Sequence, residues 1–268
     1  LSNHSSSDYT KLLFIGDSGS GKTGSLASLV KAGYELFILD FDNGLDILAN
    51  ILQHEKNSED LLQRVHFQTF TDDMKTSSDG TTIPKGQPKA FREALKQLNH
   101  WKTEEEDFGS PKEFGPDKII VIDSLSFLSN AAMRHVMSNE GRIGEWPQIQ
   151  DWGKAQDYIR GVLEMLYSSS FKTNVIVNAH VTFVEGDDGS TKGYPNTLGR
   201  KLPPQVGSYF NTTVGAKTKG AGQNAKHVIR TVSEQMLEFK TSDPLDVPAE
   251  LPLETGLADL FQILQGKK

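Results

Sequence analysis

The feature that most constrains the fold is a glycine-rich segment near the amino terminus. Residues 16–23 read Gly-Asp-Ser-Gly-Ser-Gly-Lys-Thr and match the pattern G-x-x-x-x-G-K-[ST] in full. The apolar run 9–15 before it predicts a buried strand, and the helical spacing of 22–32 after it predicts a helix. Glycines let successive N–H groups face phosphate oxygens at a helix N-terminus, which attracts anions. The segment therefore predicts a phosphate-binding loop.

Every position of this loop is a predicted contact to a nucleoside triphosphate, which we expect to be ATP bound together with Mg²⁺. Lys22 is expected to reach the β and γ phosphates and to act in catalysis, and the Thr23 hydroxyl is expected to ligate Mg²⁺. The predicted nucleotide contacts are Gly16, Asp17, Ser18, Gly19, Ser20, Gly21, Lys22 and Thr23.

Buried apolar runs and helical segments alternate along the rest of the chain. Strands are predicted at 35–40, 64–70, 118–123 and 174–178, and helices at 45–52, 90–101, 126–138 and 152–167. This alternation is typical of a three-layer α/β fold of the P-loop NTPase type with a mostly parallel central sheet. The adjacent segments 206–215, 227–233 and 236–239 predict an antiparallel C-terminal extension of that sheet.

The length of 268 residues suits one domain with tails. The predicted organisation is a flexible N-terminal tail at 1–8, an ATPase core at 9–240 and a C-terminal extension at 241–268. The extension is expected to contain a short helix at 257–264. The polar stretches 71–89 and 184–201, which contain Gly and Pro, predict long loops.

Composition excludes several classes of protein. The chain has no Cys, so disulfides and Cys-ligated metals are excluded. No apolar run approaches the roughly 18 residues of a membrane span, which predicts a cytoplasmic protein with no membrane partner. The net charge of -7 argues against nucleic acid covering the whole surface, yet residues 189–233 hold seven Lys or Arg and no acid. That asymmetry predicts a local site for a polyanion.

The strand predicted at 118–123 ends in Asp123 after an apolar run. A carboxylate at the carboxyl end of a strand that follows a phosphate loop has the Walker B arrangement, which holds Mg²⁺ through its water. Asp123 and Thr23 are therefore the predicted metal residues.

The end of the second predicted strand carries three further acids, in the sequence Leu-Asp-Phe-Asp-Asn-Gly-Leu-Asp at 39–46. Here the chain resembles the RecA-type recombinases. The resemblance implies that Asp42 is the general base that polarises the attacking water, at a place where that family has Glu, and that Asp46 contacts the adenine. The alternative from the residues alone is that these acids cap the following helix.

His180 follows the strand predicted at 174–178. RecA-like proteins end this strand in a polar side chain, commonly Gln, that senses the γ-phosphate, so the resemblance implies that His180 is a catalytic sensor. A His can donate to a phosphate oxygen in either tautomer. The alternative is a partly buried structural His.

The resemblance also implies nucleic-acid contacts in two loops, 139–152 and 184–201. A cation beside aromatic rings suits binding of single strands without sequence preference. The predicted contacts in these loops are Arg142, Trp146, Lys192, Tyr194, Arg200 and Lys201. Lys217 and Lys219 are predicted contacts because the basic segment 217–226 has no acid nearby, and the alternative there is a solvated turn. Trp146 could equally be a core anchor of the neighbouring helix. Arg230 or Lys240 is expected to reach a neighbouring subunit's site as a trans-acting finger.

In type, the chain is most similar to short RecA-like nucleotide-binding proteins of bacteriophages, including single-strand annealing proteins. The similarity implies an ATPase that depends on single-stranded DNA and acts in recombination, annealing or replication. The expected partners are single-stranded DNA, further copies in a ring or filament, and a single-strand-binding protein. Two alternatives stay open, a P-loop small-molecule kinase and a nucleotide-gated adaptor with little turnover.

Overall fold

The computed structural model describes residues 8–78, 80–186, 189–220, 222 and 225–266. The flexible tail predicted at 1–8 lies outside them, apart from Asp8. None of the helices in these ranges combines the length and the hydrophobicity that a bilayer crossing requires.

The strands and helices follow the alternation that the sequence predicts. The strands are β1 (Lys11–Ile15), β2 (Glu35–Asp40), β3 (Val65–Thr69), β4 (Met74–Thr76), β5 (Thr82–Pro84), β6 (Trp101–Lys102), β7 (Asp107–Gly109), β8 (Gly115–Asp123), β9 (Thr173–Ala179), β10 (Val181–Glu185), β11 (Thr191–Pro195), β12 (Thr212–Lys219), β13 (Lys226–Arg230) and β14 (Glu250–Pro252). The helices are α1 (Lys22–Lys31), α2 (Asp46–Gln53), α3 (Ser58–Leu62), α4 (Ala90–Asn99), α5 (Leu125–Asn139), α6 (Ile149–Tyr167), α7 (Pro203–Val206) and α8 (Leu253–Leu264).

An eight-stranded sheet in the order β14-β13-β12-β1-β9-β8-β2-β3 forms the middle layer. The six strands from β12 to β3 are parallel, and β13 and β14 add antiparallel pairs at one edge. The predicted α/β fold with a mostly parallel sheet and an antiparallel C-terminal extension is confirmed. Apolar side chains of α1, α2 and α8 pack on one face of the sheet, and those of α4, α5 and α6 pack on the other.

The pairing register brings polar strand ends together at the carboxyl edge of the sheet. Asp40 of β2 pairs with Asp123 of β8, and Asp123 pairs in turn with Asn178 of β9. The phosphate loop leaves β1 beside them, because Ile15 pairs with Ala179 at the end of β9. Parallel strands end at the same edge, so this edge is the place where a polar site can form.

Several local predictions are wrong. The segment 206–215 is not an antiparallel strand, since it starts in α7 and a 3-10 turn, and the strand that follows, β12, runs parallel to β1. The predicted strand 236–239 has, among the described residues, one isolated bridge from Leu237 to Gly193, and the loop 184–201 contains part of the hairpin β10–β11. The strand β12 and Leu237 pair with residues that are distant in sequence, so local pattern does not reveal these two pairings.

The C-terminal residues 250–264 form part of the main sheet and of one of its helical layers. β14 pairs with β13 in the main sheet, and α8 starts at Leu253 rather than at 257 and packs against α1. The helix has 12 residues, and its first residue lies against the phosphate loop.

Candidate nucleotide-hydrolysis site

The phosphate loop requires glycine at two of its positions. A Cβ on Gly21, whose φ is +94°, would lie 2.3 Å from Cδ2 of Leu253, and a Cβ on Gly16 would lie 2.7 Å from the Ala216 carbonyl oxygen. Gly21 is the N-cap of α1 and has a left-handed backbone conformation. Among the described residues, no side chain caps this end of the helix, and the first turn contains no acidic residue. The first N–H groups of α1 are therefore offered to an anion.

Lys22, the first residue of α1, is buried at this loop. Its Nζ donates to the carbonyl oxygens of Gly16 (2.9 Å) and Asp17 (2.8 Å). Burial lowers the pKa of the Lys22 ammonium, while Asp123, Asp42 and Asp17 act in the opposite direction. The predicted phosphate cation thus lies among three carboxylates at the carboxyl edge of the sheet.

Thr23 and Asp123 form the predicted metal pair. The Thr23 hydroxyl donates to Oδ2 of Asp123 over 2.7 Å, so two oxygen ligands meet at one point. Burial raises the pKa of the Asp123 carboxyl, and the Thr23 and Asn178 side chains act against this. Mg²⁺ prefers oxygen ligands and is held by one or two protein groups together with substrate phosphates, so the pair fits Mg²⁺.

Asn178 is a site residue that the sequence reasoning missed. It is fully buried at the end of β9, directly beside Asp123 in the sheet register. Within the described chain neither atom of its amide forms a well-directed hydrogen bond. Buried amides are almost always hydrogen-bonded, so this group is suited to a phosphate oxygen or to water on the metal. The available signal was a polar residue that ends an otherwise apolar strand.

Asp42 lies in the loop between β2 and α2, with Ser124 and His180 against its carboxylate. Its Oδ1 accepts from the backbone N–H (2.9 Å) and the hydroxyl (2.8 Å) of Ser124, and its Oδ2 is 3.2 Å from Nε2 of His180. The side chains of Asp42 and His180 are 23% and 22% exposed, so both remain accessible. The structure therefore brings the two predicted catalytic residues into contact, and Ser124 is a second residue that the sequence reasoning missed.

The other two acids of the second strand have different surroundings. Asp40 is buried, and its carboxylate accepts from the Asn43 N–H (2.8 Å) and the Thr69 hydroxyl (3.0 Å), so it closes the turn after β2. Burial raises the pKa of the Asp40 carboxyl. Asp46 is exposed at the start of α2 and lines a cavity of about 520 Å³ with Asn43 and Leu45. Among the described residues, the lining of this cavity includes none from the phosphate loop.

A second cavity, of about 600 Å³, borders the outer side of the phosphate loop from Gly16 to Ser20. Its wall includes Lys217 and Arg230, each paired with an acid of the same chain. Arg230 binds Glu234 and Glu250, Lys217 binds Glu234, and Lys219 binds Glu250. Lys240, the other predicted trans cation, is exposed and forms no ion pair within the described residues.

The predicted nucleic-acid residues that lie outside strands have different surroundings. Arg142 is mostly buried in an ion pair with the fully buried Asp151, which makes it an anchor of the loop before α6. Trp146 in that loop is 93% exposed, so it is not a core anchor. Arg200 and Lys201 are exposed after β11.

The remaining predicted contacts lie on strands. Lys192 of β11 pairs with Glu238, and Tyr194 of the same strand lies opposite Thr182. Lys217 and Lys219 lie at the end of β12 and form ion pairs with Glu234 and Glu250.

These features together define the class of the protein. A phosphate loop between a buried strand and a helix, its lysine and hydroxyl, and a strand-end acid on a mostly parallel sheet constitute a P-loop nucleotide-binding ATPase domain. Residues 8–242 match the family AAA_24, which is described as an AAA domain, and the chain belongs to that family. The prediction of a P-loop ATPase domain is thereby confirmed, and the type found in bacteriophages stays a prediction.

Three solved structures resemble the chain at low identity. The flagellar accessory protein FlaH from Methanocaldococcus jannaschii is 11% identical, covers 91% of this chain and 84% of its own, and gives a TM-score of 0.45. An ATPase from the type III secretion system of pathogenic bacteria is 11% identical over 78% and 52%, with a TM-score of 0.47. A KaiC-like protein from Pyrococcus horikoshii OT3 is 12% identical over 88% and 82%, with a TM-score of 0.42. None of the curated proteins matches the chain.

Proposed function

We propose that the protein hydrolyses Mg-ATP and couples the nucleotide to binding of single-stranded DNA, in recombination, annealing or replication of bacteriophage DNA. The observation that carries the proposal is the 3.2 Å contact between Asp42 and His180. It joins the predicted base for water to the residue at which the chain leaves the sheet and enters the hairpin β10–β11.

The proposed reaction is in-line attack of water on the γ-phosphorus. The new bond forms between the water oxygen and phosphorus, and the bond from phosphorus to the β–γ bridging oxygen breaks, which releases ADP and inorganic phosphate. Asp42 orients the water and takes its proton, while Lys22 stabilises charge on the phosphates. Mg²⁺, held through Thr23 and Asp123, would neutralise charge that develops on the β and γ phosphates.

The hairpin supports the DNA part of the proposal. Val181 to Glu185 pair with Thr191 to Pro195, and the chain then continues into the exposed cations Arg200 and Lys201. Cations that neutralise DNA phosphates supply most of the affinity for single strands, and they do so without sequence preference. A change at His180 therefore acts at the start of the segment that we propose binds DNA.

One observation favours a second candidate, a nucleotide-gated adaptor with little turnover. Both carboxylate oxygens of Asp42 have partners, because Ser124 donates twice to Oδ1 and His180 lies against Oδ2. One of these contacts has to be given up before the carboxylate can contact an attacking water. The adaptor would bind ATP and change conformation without releasing phosphate.

Phosphate release, measured with and without a 40-nucleotide oligothymidylate, tests the proposal. We expect DNA to stimulate hydrolysis by at least about fivefold, in the range of ordinary coupling between two sites. Replacing Arg200 and Lys201 together by Ala should remove most of the stimulation. The matched control replaces Lys112 and Lys172 by Ala at the opposite edge of the sheet. These two residues are joined by a hydrogen bond from the backbone N–H of Lys172 to the Lys112 carbonyl, which the variant retains. Nucleotide binding without phosphate release would instead support the adaptor.

A further inference from the structure

The base of the hairpin β10–β11 is closed by three hydrogen bonds that form a ring. The His180 N–H donates to Oγ of Ser126 over 3.1 Å, and the Ser126 hydroxyl donates to the Asn196 carbonyl over 2.9 Å. The Asn196 N–H donates back to the His180 carbonyl over 2.7 Å. One hydroxyl thus holds both sides of the hairpin at the point where it leaves the sheet.

Ser126 is well placed to hold this ring rigidly. It lies in the first turn of α5, three residues after Asp123, and is 5% exposed. Its hydroxyl accepts one hydrogen bond and donates another at the hairpin base, so loss of the hydroxyl would remove both partly buried bonds at once.

His180 is held on its other side by the catalytic groups. Its ring contacts Asp42 at 3.2 Å, and the Phe127 ring lies edge-on to it with the centroids 6.0 Å apart. His180 therefore connects the Asp42 carboxylate with the backbone to which Ser126 is hydrogen-bonded. A movement of the His180 ring away from Asp42, toward a phosphate oxygen for example, pulls on the hairpin base.

We propose that Ser126 is a positioning residue that transmits the state of the Asp42–His180 pair to the hairpin β10–β11 and to the cations that follow it. The inference rests on the proposed function for the nucleotide, but it does not require that the hairpin binds DNA. Ser126 touches neither the phosphate loop nor Asp42 in the described contacts, so it acts through His180.

The test is amide hydrogen exchange of the full chain in Mg²⁺, with and without a non-hydrolysable ATP analogue and in the absence of DNA. In the wild type, we expect the analogue to change exchange at 181–186 and 189–196 by about tenfold, in the range of a two-site coupling. In Ser126→Ala, this change should fall below about twofold while affinity for the analogue is kept. Ser126→Thr retains a hydroxyl and should restore the response.

Ser129→Ala is the matched control. Ser129 lies on the same helix and is buried, and its hydroxyl has no hydrogen-bond partner within the described chain. This variant should respond to the analogue as the wild type does. The inference is overturned if the analogue leaves the wild-type hairpin unchanged, if Ser126→Ala responds fully, or if Ser126→Thr behaves like Ser126→Ala.

Oligonucleotide binding by the same variants separates this inference from the proposed function. If the hairpin responds through Ser126 but no variant binds DNA, the DNA part of the proposed function fails and the inference holds. If DNA binds and depends on the nucleotide but Ser126→Ala retains that dependence, the inference fails and the proposed function holds.

Discussion

The two ends of β9 each carry a fully buried asparagine, yet the two side chains have opposite surroundings. At the amino end, Asn174 accepts from the Thr10 N–H and the Gln265 amide, and donates to the carbonyls of Pro116 and Lys118. At the carboxyl end, the Asn178 amide has no well-directed hydrogen bond within the described residues. The first amide joins neighbouring segments, whereas the second is available to a ligand.

Two buried lysines, Lys11 at the start of β1 and Lys22 at the start of α1, show the same division. Lys11 donates to the carbonyls of Phe171 (2.8 Å) and Thr173 (2.6 Å), and burial lowers its pKa to about 7. Lys22 also donates to carbonyls, but three carboxylates oppose the effect of burial on its pKa. A buried cation among acids is positioned for a polyanionic ligand, whereas one among carbonyls supports the fold.

The largest effect is expected from Lys22→Met, which keeps the length of the side chain and removes its charge. Hydrolysis should fall at least about 100-fold, because charge on the transferring phosphate loses its cation. The midpoint of thermal unfolding should change little, since the variant no longer buries a charged group. Lys11→Met is the matched control and should retain hydrolysis, so equal loss of hydrolysis in the two variants would contradict the comparison.

Alanine variants of the two asparagines sharpen the comparison further. Asn174→Ala should lower the free energy of unfolding by about 3 kcal/mol, because it leaves several buried backbone groups unpaired. Asn178→Ala should cost less than about 1 kcal/mol and should slow hydrolysis about tenfold. Chemical denaturation and phosphate release check both effects. The comparison fails if Asn178→Ala destabilises the fold as much as Asn174→Ala.

The smallest effect concerns the pH dependence of stability. The pKa of Lys11 is about 7 in the fold, against 10.5 for an unburied lysine, so between these values the unfolded chain binds the proton more tightly. Raising the pH from 7 to 9 should therefore stabilise the fold, by about 2 kcal/mol from this group alone. Below pH 7 and above 10.5 its contribution is constant.

Lys11→Met should remove this part of the pH dependence. Denaturant unfolding at pH 7, 8 and 9 gives the slope for each protein, and the wild type should gain more stability than the variant across the series. Parallel slopes would show that the Lys11 ammonium is not penalised by burial.

Local sequence pattern was sufficient for the phosphate loop, the buried strands and the acid that ends β8. Each of these is a short segment whose chemistry and neighbours lie within about ten residues of one another. Asp42 and His180 are predicted as catalytic residues only from the resemblance to RecA-type proteins. The structure shows them in contact although they are 138 residues apart in sequence. Sequence spacing alone does not report such a contact.

The residues that were missed or reassigned depend on tertiary neighbours. Asn178 becomes a site residue only through the register of β8 against β9, and Ser124 only through its hydrogen bonds to Asp42. In the sequence Arg142 resembles an exposed loop cation, but in the structure it forms an ion pair with the fully buried Asp151. Acids later in the chain likewise pair with four basic residues of 189–233, which are Lys192, Lys217, Lys219 and Arg230.

The central claim is that Asp42 carries out the chemical step for a nucleotide held by the phosphate loop. Single-turnover hydrolysis by wild type and Asp42→Asn, each saturated with Mg-ATP, tests this claim most directly. The amide retains the size of the side chain but cannot take a proton, so the chemical step should slow at least about 100-fold while the Kd for ATP stays within about threefold. An Asp42→Asn protein that hydrolyses ATP at the wild-type rate would contradict the account.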